Sequence, residues 1–185
     1  MSTPLAPTLV RPFVAVLFNK LVISKEEVLE DLDELWPIFS RGHVSDEGHY
    51  SLGDYYSKEM GASEELLRFW VFFDDLIDRD ELVRLKVESN VREEVLKGQR
   101  KGRIVNFDPG YLALEQMVLA TGKPYGHRIF LGRHQKVGIY AELTYLFENK
   151  KFKTLPWSYP DYCEDHVISL FEEQRKELHT ALKRL

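Results

Sequence analysis

Apolar and polar residues follow two spacings along the first part of the chain, one typical of strands and one of helices. Residues 12–19 form an apolar run rich in β-branched and aromatic side chains, which predicts a strand buried on both faces. Ser24 and Glu27 then have the spacing of a capping box, and apolar positions between residues 28 and 36 recur on one helical face before Pro37. The pattern therefore predicts a central strand followed by a helix.

A second set of strands and a helix is predicted further along. A short strand is expected near residues 38–44, and the apolar, aromatic run at residues 67–73 predicts another strand. Asp78 and Glu81 repeat the capping-box spacing, and the valines and leucines behind them predict a long helix. Residues 103–107 then have the composition of a short strand.

The stretch Asn-Phe-Asp-Pro-Gly-Tyr-Leu at residues 106–112 predicts a strand-to-helix junction. Asp108 is a good N-cap, Pro109 suits the first helical position, and the apolar residues that follow predict a short helix ending at Gly122. Free backbone N–H groups at a helix start attract anions, although a capping Asp108 would compete for the same groups. The junction is therefore a candidate anion site as well as a structural feature.

The last part of the chain predicts a meander and a terminal helix. Residues 127–131 and 137–147 are strand-like and are joined by a turn of several residues, and a third strand is expected at residues 151–155. Pro160 opens the last helix, whose apolar stripe begins at Val167.

The order of these elements predicts an α+β fold in one domain, residues 1–185, in which residues 1–11 are expected to form a flexible segment. The order β-α-β-β-α-β predicts a ferredoxin-like split βαβ sandwich, to which a C-terminal β-hairpin or meander and a terminal helix are added. The sheet should be mostly antiparallel, with its helices on one face. A doubly wound parallel sheet is the second choice, because it needs more crossover helices than the pattern supplies.

Composition narrows the class of protein. The longest uninterrupted apolar run is Phe13 to Phe18, whereas a membrane span needs roughly 20 residues. The N-terminus has no basic region before an apolar stretch, so we expect no secretory signal and a cytoplasmic protein. Cys163 is the only cysteine, which excludes an internal disulfide and a cysteine-based zinc site.

The charge is unevenly distributed. The formal net charge is −5, yet eight basic and only two acidic residues lie between residues 97 and 136. A mainly acidic chain with one basic segment is not a general polyanion binder. The segment 97–136 is therefore where we expect an anionic ligand or, as an alternative, RNA or a protein partner to bind.

Several segments, specific as a set, carry a family resemblance. They are 54–61 (Asp-Tyr-Tyr-Ser-Lys-Glu-Met-Gly), 106–112, 119–123 (Leu-Ala-Thr-Gly-Lys), 127–132 (His-Arg-Ile-Phe-Leu-Gly), 138–142 (Gly-Ile-Tyr-Ala-Glu) and 157–162 (Trp-Ser-Tyr-Pro-Asp-Tyr). Over nearly its whole length the chain resembles the bacterial family named domain of unknown function 4416. The resemblance implies a small single-domain protein and no particular activity.

One pair of residues is a candidate for acid–base chemistry. The predicted hairpin is closed by Gly132 and Val137, and that register places His127 opposite Glu142. A histidine held by a carboxylate can act as a general base, because the partner fixes its tautomer and raises its basicity. The same pair is also an ordinary cross-strand contact, and a shift of one residue would separate it.

A second group of residues has the chemistry of an anion site. Lys123 and Arg128 could hold a phosphate or carboxylate beside the Asp108 turn, and the aromatic residues of the connector 157–162 could stack on a base. Such aromatic residues more often line a core and hold loops in place. The candidate ligand-binding residues are Asp108, Tyr111, Lys123, Arg128, Trp157, Tyr159 and Asp161.

No metal site is predicted. The loop from His43 to His49 has no standard zinc spacing, and the carboxylates at residues 74–78 are explained as strand-end and helix-cap residues. No P-loop, nucleophile elbow or dinucleotide fingerprint occurs.

The residues therefore favour a cytoplasmic α+β domain that binds a small anionic ligand, a nucleotide or a phosphorylated metabolite. Two alternatives stay open: an enzyme that uses His127 and Glu142 as an acid–base pair, and an RNA-binding or protein-interaction module that uses the basic segment. The cofactor and the oligomeric state are unknown from the sequence.

Overall fold

The computed structural model describes residues 3, 5–50 and 56–185, so Asp54 and Tyr55 of the family segment lie outside the described residues. Of the N-terminal segment, Val10 is buried and pairs with Ile77. The strands are β1 (Arg11–Asn19), β2 (Arg41–Val44), β3 (Gly48–His49), β4 (Leu66–Phe73), β5 (Val105–Leu112), β6 (Gln116–Thr121), β7 (Ile129–His134), β8 (Val137–Glu148) and β9 (Lys151–Thr154). The helices are α1 (Lys25–Leu35), α2 (Ser57–Met60), α3 (Glu81–Lys97) and α4 (Asp165–Leu182).

The sheet is built from two interleaved βαβ units with strands added at one side. Its order is β2-β4-β1-β5-β6-β8-β7, with β3 paired to β4 and β9 paired to β8. In the first unit, α1 connects β1 to β2, and β4 lies between these two strands. In the second unit, α3 connects β4 to β5, and β1 lies between them. The pairings between the described strands are antiparallel. The predicted α+β fold with a mostly antiparallel sheet is confirmed.

Two cores cover the two faces of this sheet. All nine residues of β1 are buried, as its continuous apolar run predicts for a central strand. Val14 and Val16 pack on the face covered by α1 and α3, whereas Phe13 and Ala15 pack on the face covered by α4. The terminal helix therefore lies opposite the other two long helices, and the expectation of helices on one face is wrong. β1 and β4 are buried along nearly their whole length, so both faces of the sheet need a cover.

The helix starts agree with the sequence only in part. The Ser24 capping box of α1 is present. The N-cap of α3 is Asp80, which makes no side-chain cap hydrogen bond, and Glu81 pairs with Arg84 at 2.7 Å, so the predicted capping box with Asp78 does not form at this described helix start. α4 begins at Asp165 after a 3₁₀ turn at Pro160–Cys163, later than predicted. Among the described helices, none is long and apolar enough to cross a membrane.

The predicted junction at residues 106–112 is wrong, because the whole stretch lies in β5. Residues 105–112 pair with residues 11–18 of β1, and Ala113 then turns the chain into β6. A complete ladder along the central strand outweighs the helical signals of Asp108 and Pro109, since local propensity is a weak prior. Asp108 is therefore not a helix cap, and the anion site at a helix start does not exist.

Gly110 has a packing reason for being glycine. A Cβ there would lie 2.5 Å from Cζ of Phe13 and 2.6 Å from the carbonyl oxygen of Val118. These separations are far below a normal contact, so β1, β5 and β6 can approach at this point only around a residue without a side chain.

The β7–β8 hairpin has a tighter turn and a different register than predicted. Its turn residues are Gln135 and Lys136, whose φ values of 48° and 70° are those of a two-residue turn. Ile129 pairs with Ala141. The residue that the ladder brings level with Glu142 is therefore Arg128, one position from the predicted His127.

Candidate functional site

A pocket opens where two neighbouring strands of the sheet diverge. Residues 110–112 of β5 pair with residues 117–119 of β6. Beyond this short pairing, β5 continues beside β1 and β6 continues beside β8. The resulting cavity has a volume of about 340 Å³, and we call it the fork pocket. Its lining residues are Tyr50, Tyr56, Arg68, Lys86, Asn90, Arg103, Asn106, Asp108, Leu119, Ala120, Thr121, Gly122, Lys123, Glu142, Tyr159 and Tyr162.

Side chains of α3 replace the missing strand along the open edge of β5. The backbone N–H of Phe107 donates to Oε1 of Glu93 at 2.7 Å, and its carbonyl accepts from Nζ of Lys86 at 2.8 Å. Backbone groups alternate sides along a strand, so Pro109 faces the same edge and brings no N–H that needs a partner. At Phe107 the open edge of β5 therefore needs no neighbouring strand, because side chains pair both of its buried backbone groups.

Arg68 lies at the centre of the site. It is 5% exposed, on β4, and its Nε lies 3.3 Å from Oδ2 of Asp161, while its Nη1 lies 3.9 Å from Oδ2 of Asp108. Neither this Nε nor the facing Oδ2 of Asp161 has a hydrogen-bond partner among the described residues. Burial would lower the pKa of Arg68, but the two carboxylates more than offset this and raise it, so the guanidinium stays charged.

Asp108 lies between cations on the wall of the pocket. It pairs with Ala15 across the ladder, so its side chain lies on the α4 face, where Lys86 reaches it past the edge of β5 at 3.2 Å. Asn106 donates to its other oxygen at 2.6 Å. Burial raises the pKa of this carboxyl, yet the charges of Lys86 and Arg68 outweigh burial and hold the pKa below its usual value. Asp108 is therefore ionised at neutral pH.

Arg103 closes the end of the pocket and is already paired. It donates to Glu93 at 2.6 Å, to Glu59 at 2.7 Å and to the side-chain oxygen of Asn106 at 2.7 Å. Burial raises the pKa of Glu93, which Lys86 and Arg103 offset only in part. Arg103 and Glu93 thus hold the architecture of the fork, and they offer a ligand less than Arg68 does.

Glu142 forms the opposite wall and is held on one oxygen only. It is 2% exposed, and Arg128 donates from Nε to its Oε2 at 2.5 Å, with a second contact from Nη2 to the same atom. Nε2 of His127 also lies nearest to Oε2, at 3.4 Å. Oε1 of Glu142 is buried and has no hydrogen-bond partner among the described residues.

Arg128 connects this wall to the aromatic cover of the pocket. Its Nη2 donates to the hydroxyl of Tyr159 at 3.2 Å, and its Nη1 donates to the carbonyl of Lys123 at 3.1 Å. Its guanidinium also lies 4.4 Å from the ring centroid of Tyr125. Since Arg128 is nearly fully buried and fully engaged, it positions the loop and the tyrosine rather than facing the cavity.

The structure brings only some of the sequence-predicted residues together. Four line the fork pocket, and they are Asp108, Lys123, Glu142 and Tyr159. Arg128 lies behind Glu142, and Asp161 lies on the far side of Arg68. His127 is stacked on Trp157, with ring centroids 5.1 Å apart, and both are outside the pocket lining, whereas Tyr111 is buried in the core against α3.

The two cations that lie deepest in the site, Arg68 and Lys86, are not among the residues predicted from the sequence. Each had a signal, because Arg68 interrupts the apolar run of β4 and Lys86 lies among buried residues of α3. A charged residue inside an apolar run must find a partner in the core. The partners of these two cations are far away in sequence, so the sequence pattern does not predict which residues they are.

A second cavity adjoins the first at Arg68. It has a volume of about 500 Å³ and includes the loop from His43 to His49 with Asp161 and His166. Among the described residues, no group of three or more histidine, cysteine, aspartate or glutamate side chains is arranged to hold a metal ion. Arg68 and Asp161 thus separate a basic cavity from one with several acids and histidines.

Comparison with known proteins gives one match. A family model described as domain of unknown function (DUF4416) matches residues 8–178, which confirms the family that the sequence resembles. No curated protein and no solved structure matches the chain.

Proposed function

Because the chain belongs to the family described as domain of unknown function (DUF4416), whose description names no activity, we propose a function from the fork pocket: binding, in the cytoplasm, of a small anionic ligand such as a nucleotide or a phosphorylated metabolite. The ligand's oxyanion contacts Arg68 at the inner end of the pocket, and its other groups contact the polar wall formed by Asp108, Glu142 and Tyr159.

The buried guanidinium of Arg68 is the observation that supports this proposal. A guanidinium has five N–H donors, and burial makes each unpaired donor costly. The two carboxylates near Arg68 lie at 3.3 Å and 3.9 Å, and its Nε is without a hydrogen-bond partner among the described residues. A phosphate or carboxylate group accepts two parallel hydrogen bonds from such a fork, which would complete the pairing.

The charges around Arg68 also favour an anion. Four cations, Arg68, Lys86, Arg103 and Lys123, line the cavity with two carboxylates. Burial raises the pKa of Asp161, although Arg68 opposes this shift. The carboxylate nearest to Arg68 is therefore easier to protonate than an ordinary aspartate. The cavity volume of about 340 Å³ is near the lower end of small-molecule sites, roughly 300–1,000 Å³, which favours a ligand no larger than a mononucleotide.

A thermal-shift screen tests the proposal. The panel contains inorganic phosphate, sugar phosphates, mononucleotides and dicarboxylates, with potassium chloride at matched ionic strength as the control. A ligand at about 100 times its Kd adds roughly 2.7 kcal/mol, which for a chain of this size raises the Tm by about 5–11 °C. If no anion raises the Tm above the potassium chloride control, the proposal is wrong.

Two arginine variants then locate the site. Arg68→Lys keeps the charge but removes the planar pair of donors, so the affinity should fall about tenfold or more. Arg133→Lys, on β7 and outside the pocket lining, is the matched control and should bind like the wild type. Equal affinity of both variants would show that the anion binds elsewhere.

A further inference from the structure

The two carboxylates that line the fork pocket, Asp108 and Glu142, lie on opposite sides of the fork. Asp108 lies on β5, at one side of the fork, and Glu142 lies on β8, beyond β6 at the other side. Asp108 pairs with Ala15, and Glu142 pairs with Leu119. Ala15 and Leu119 both belong to the core under α4, so the two carboxylates lie on the same face of the sheet.

Glu142 has one oxygen with its full set of partners and one without any. Arg128 contacts Oε2 through both Nε and Nη2, and His127 approaches the same atom. An arginine that served only to neutralise a buried carboxylate would normally bind both of its oxygens. The crowding of Oε2 leaves Oε1 buried without a donor among the described residues, in a side chain that is 2% exposed.

Asp108 has spare acceptor capacity as well. Its two oxygens contact Lys86, Asn106 and Arg68, and its side chain is 28% exposed in a residue that lines the pocket. An ionised carboxylate has about four lone-pair positions, so further donors can be accepted. A ligand without hydrogen-bond donors would leave these acceptor positions unused.

From this arrangement, and on the basis of the proposed function, we infer that the ligand is a phosphorylated sugar or polyol, whose phosphate binds Arg68 and whose hydroxyl groups donate to Asp108 and to Oε1 of Glu142. The sugar is either free or the ribose of a mononucleotide, since both have a phosphate ester beside hydroxyl groups. A hydroxyl donor satisfies an ionised carboxylate without adding charge, which suits a wall made of two carboxylates.

The test compares ligands that differ only in their hydroxyl groups. Isothermal titration of the full chain uses inorganic phosphate, ribose 5-phosphate, n-pentyl phosphate and adenosine 5′-monophosphate. n-Pentyl phosphate has the same number of carbon atoms as ribose 5-phosphate and no hydroxyl group on its chain. We expect ribose 5-phosphate to bind about tenfold or more tightly than n-pentyl phosphate, which is the effect of one charge-assisted hydrogen bond.

The outcomes separate this inference from the proposed function. Equal affinity for ribose 5-phosphate and n-pentyl phosphate overturns the inference and leaves anion binding intact, whereas no binding of any of the four probes overturns both. Adenosine 5′-monophosphate distinguishes the source of the sugar, because tighter binding than ribose 5-phosphate indicates a nucleotide and weaker binding indicates a free sugar phosphate.

A variant links the preference to the wall. Glu142→Gln should lose most of the preference for ribose 5-phosphate while it retains binding of inorganic phosphate. If this variant does not fold, Asp108→Asn serves the same purpose on the other wall. A full preference in a folded Glu142→Gln protein would show that Glu142 does not contact the hydroxyl groups.

Discussion

The replacement of a missing strand by side chains of α3 leads to a quantitative prediction for Glu93. Its Oε1 accepts the backbone N–H of Phe107 at 2.7 Å, its Oε2 accepts from Arg103 at 2.6 Å, and the residue is 3% exposed. Glu93→Ala leaves a buried N–H without a partner, which costs about 1–3 kcal/mol. It also removes one of the two carboxylates that hold Arg103, so we expect a total loss of roughly 3–4 kcal/mol in the free energy of unfolding.

Two further variants separate these contributions. Glu93→Gln keeps an oxygen for the N–H of Phe107 and loses only the charge opposite Arg103, so its loss should be about 1–2 kcal/mol. Glu94→Ala is the matched control on the next position of α3. Glu94 is exposed and contacts Lys97 at 3.4 Å. A surface pair of this kind contributes about 0.5 kcal/mol or less.

Urea unfolding, monitored by tryptophan fluorescence, measures all three variants. The expected order of the loss is Glu93→Ala, then Glu93→Gln, then Glu94→Ala. If Glu93→Ala costs less than about 1 kcal/mol and resembles Glu94→Ala, then its carboxylate does not replace a strand partner at the fork, and the account of the pocket's stability is wrong.

Three other predictions follow from single contacts. Gly110→Ala should lower the free energy of unfolding in urea by about 1–3 kcal/mol or more, because its Cβ has no room. At Gly126 a Cβ meets nothing within 4 Å in the described part of the chain, so Gly126→Ala should change this free energy by about 0.5 kcal/mol or less. Equal losses in the two variants would contradict the packing argument. Tyr145→Phe removes a buried hydroxyl that donates to the carbonyl of Tyr162 at 2.5 Å, so it should lower the free energy of unfolding by about 1–2 kcal/mol. Tyr140 is partly exposed, so the control variant Tyr140→Phe should show a negligible change. The pKa of Asp108 is lowered in the folded state, so its ionised form adds stability above the unfolded-state pKa near 3.9, and that stability is lost as the pH falls through the lower folded value. The stability difference between wild type and Asp108→Asn should therefore shrink below about pH 4 in acid unfolding, and a difference that grows there would contradict the sign.

Residues close together in sequence determined much of the fold. The continuous apolar run of β1 is typical of a strand covered on both sides, and all of its residues are buried. The Ser24 capping box acts through atoms three residues apart, so it needs no distant residue to form. Strand and helix order then restricts the possible topologies to a few, among which the split βαβ arrangement is the one that forms.

Contacts between distant residues decided the candidate site. Asp108 and Pro109 have the local signals of a helix start, yet an eight-residue ladder with β1 makes them a strand, because many long-range hydrogen bonds outweigh a weak local preference. The β7–β8 register brings Arg128, not His127, level with Glu142, yet the His127 side chain still approaches the same carboxylate oxygen at 3.4 Å.

The deepest part of the pocket depends entirely on tertiary structure. Arg68 and Asp161 are 93 positions apart along the chain, and Lys86 reaches Asp108 only because α3 covers the place where β5 and β6 separate. The sequence determined that these charges exist inside apolar segments and that each needs a partner. Only the pairing and divergence of the strands decided which partners meet, since that choice depends on the packing of the whole sheet.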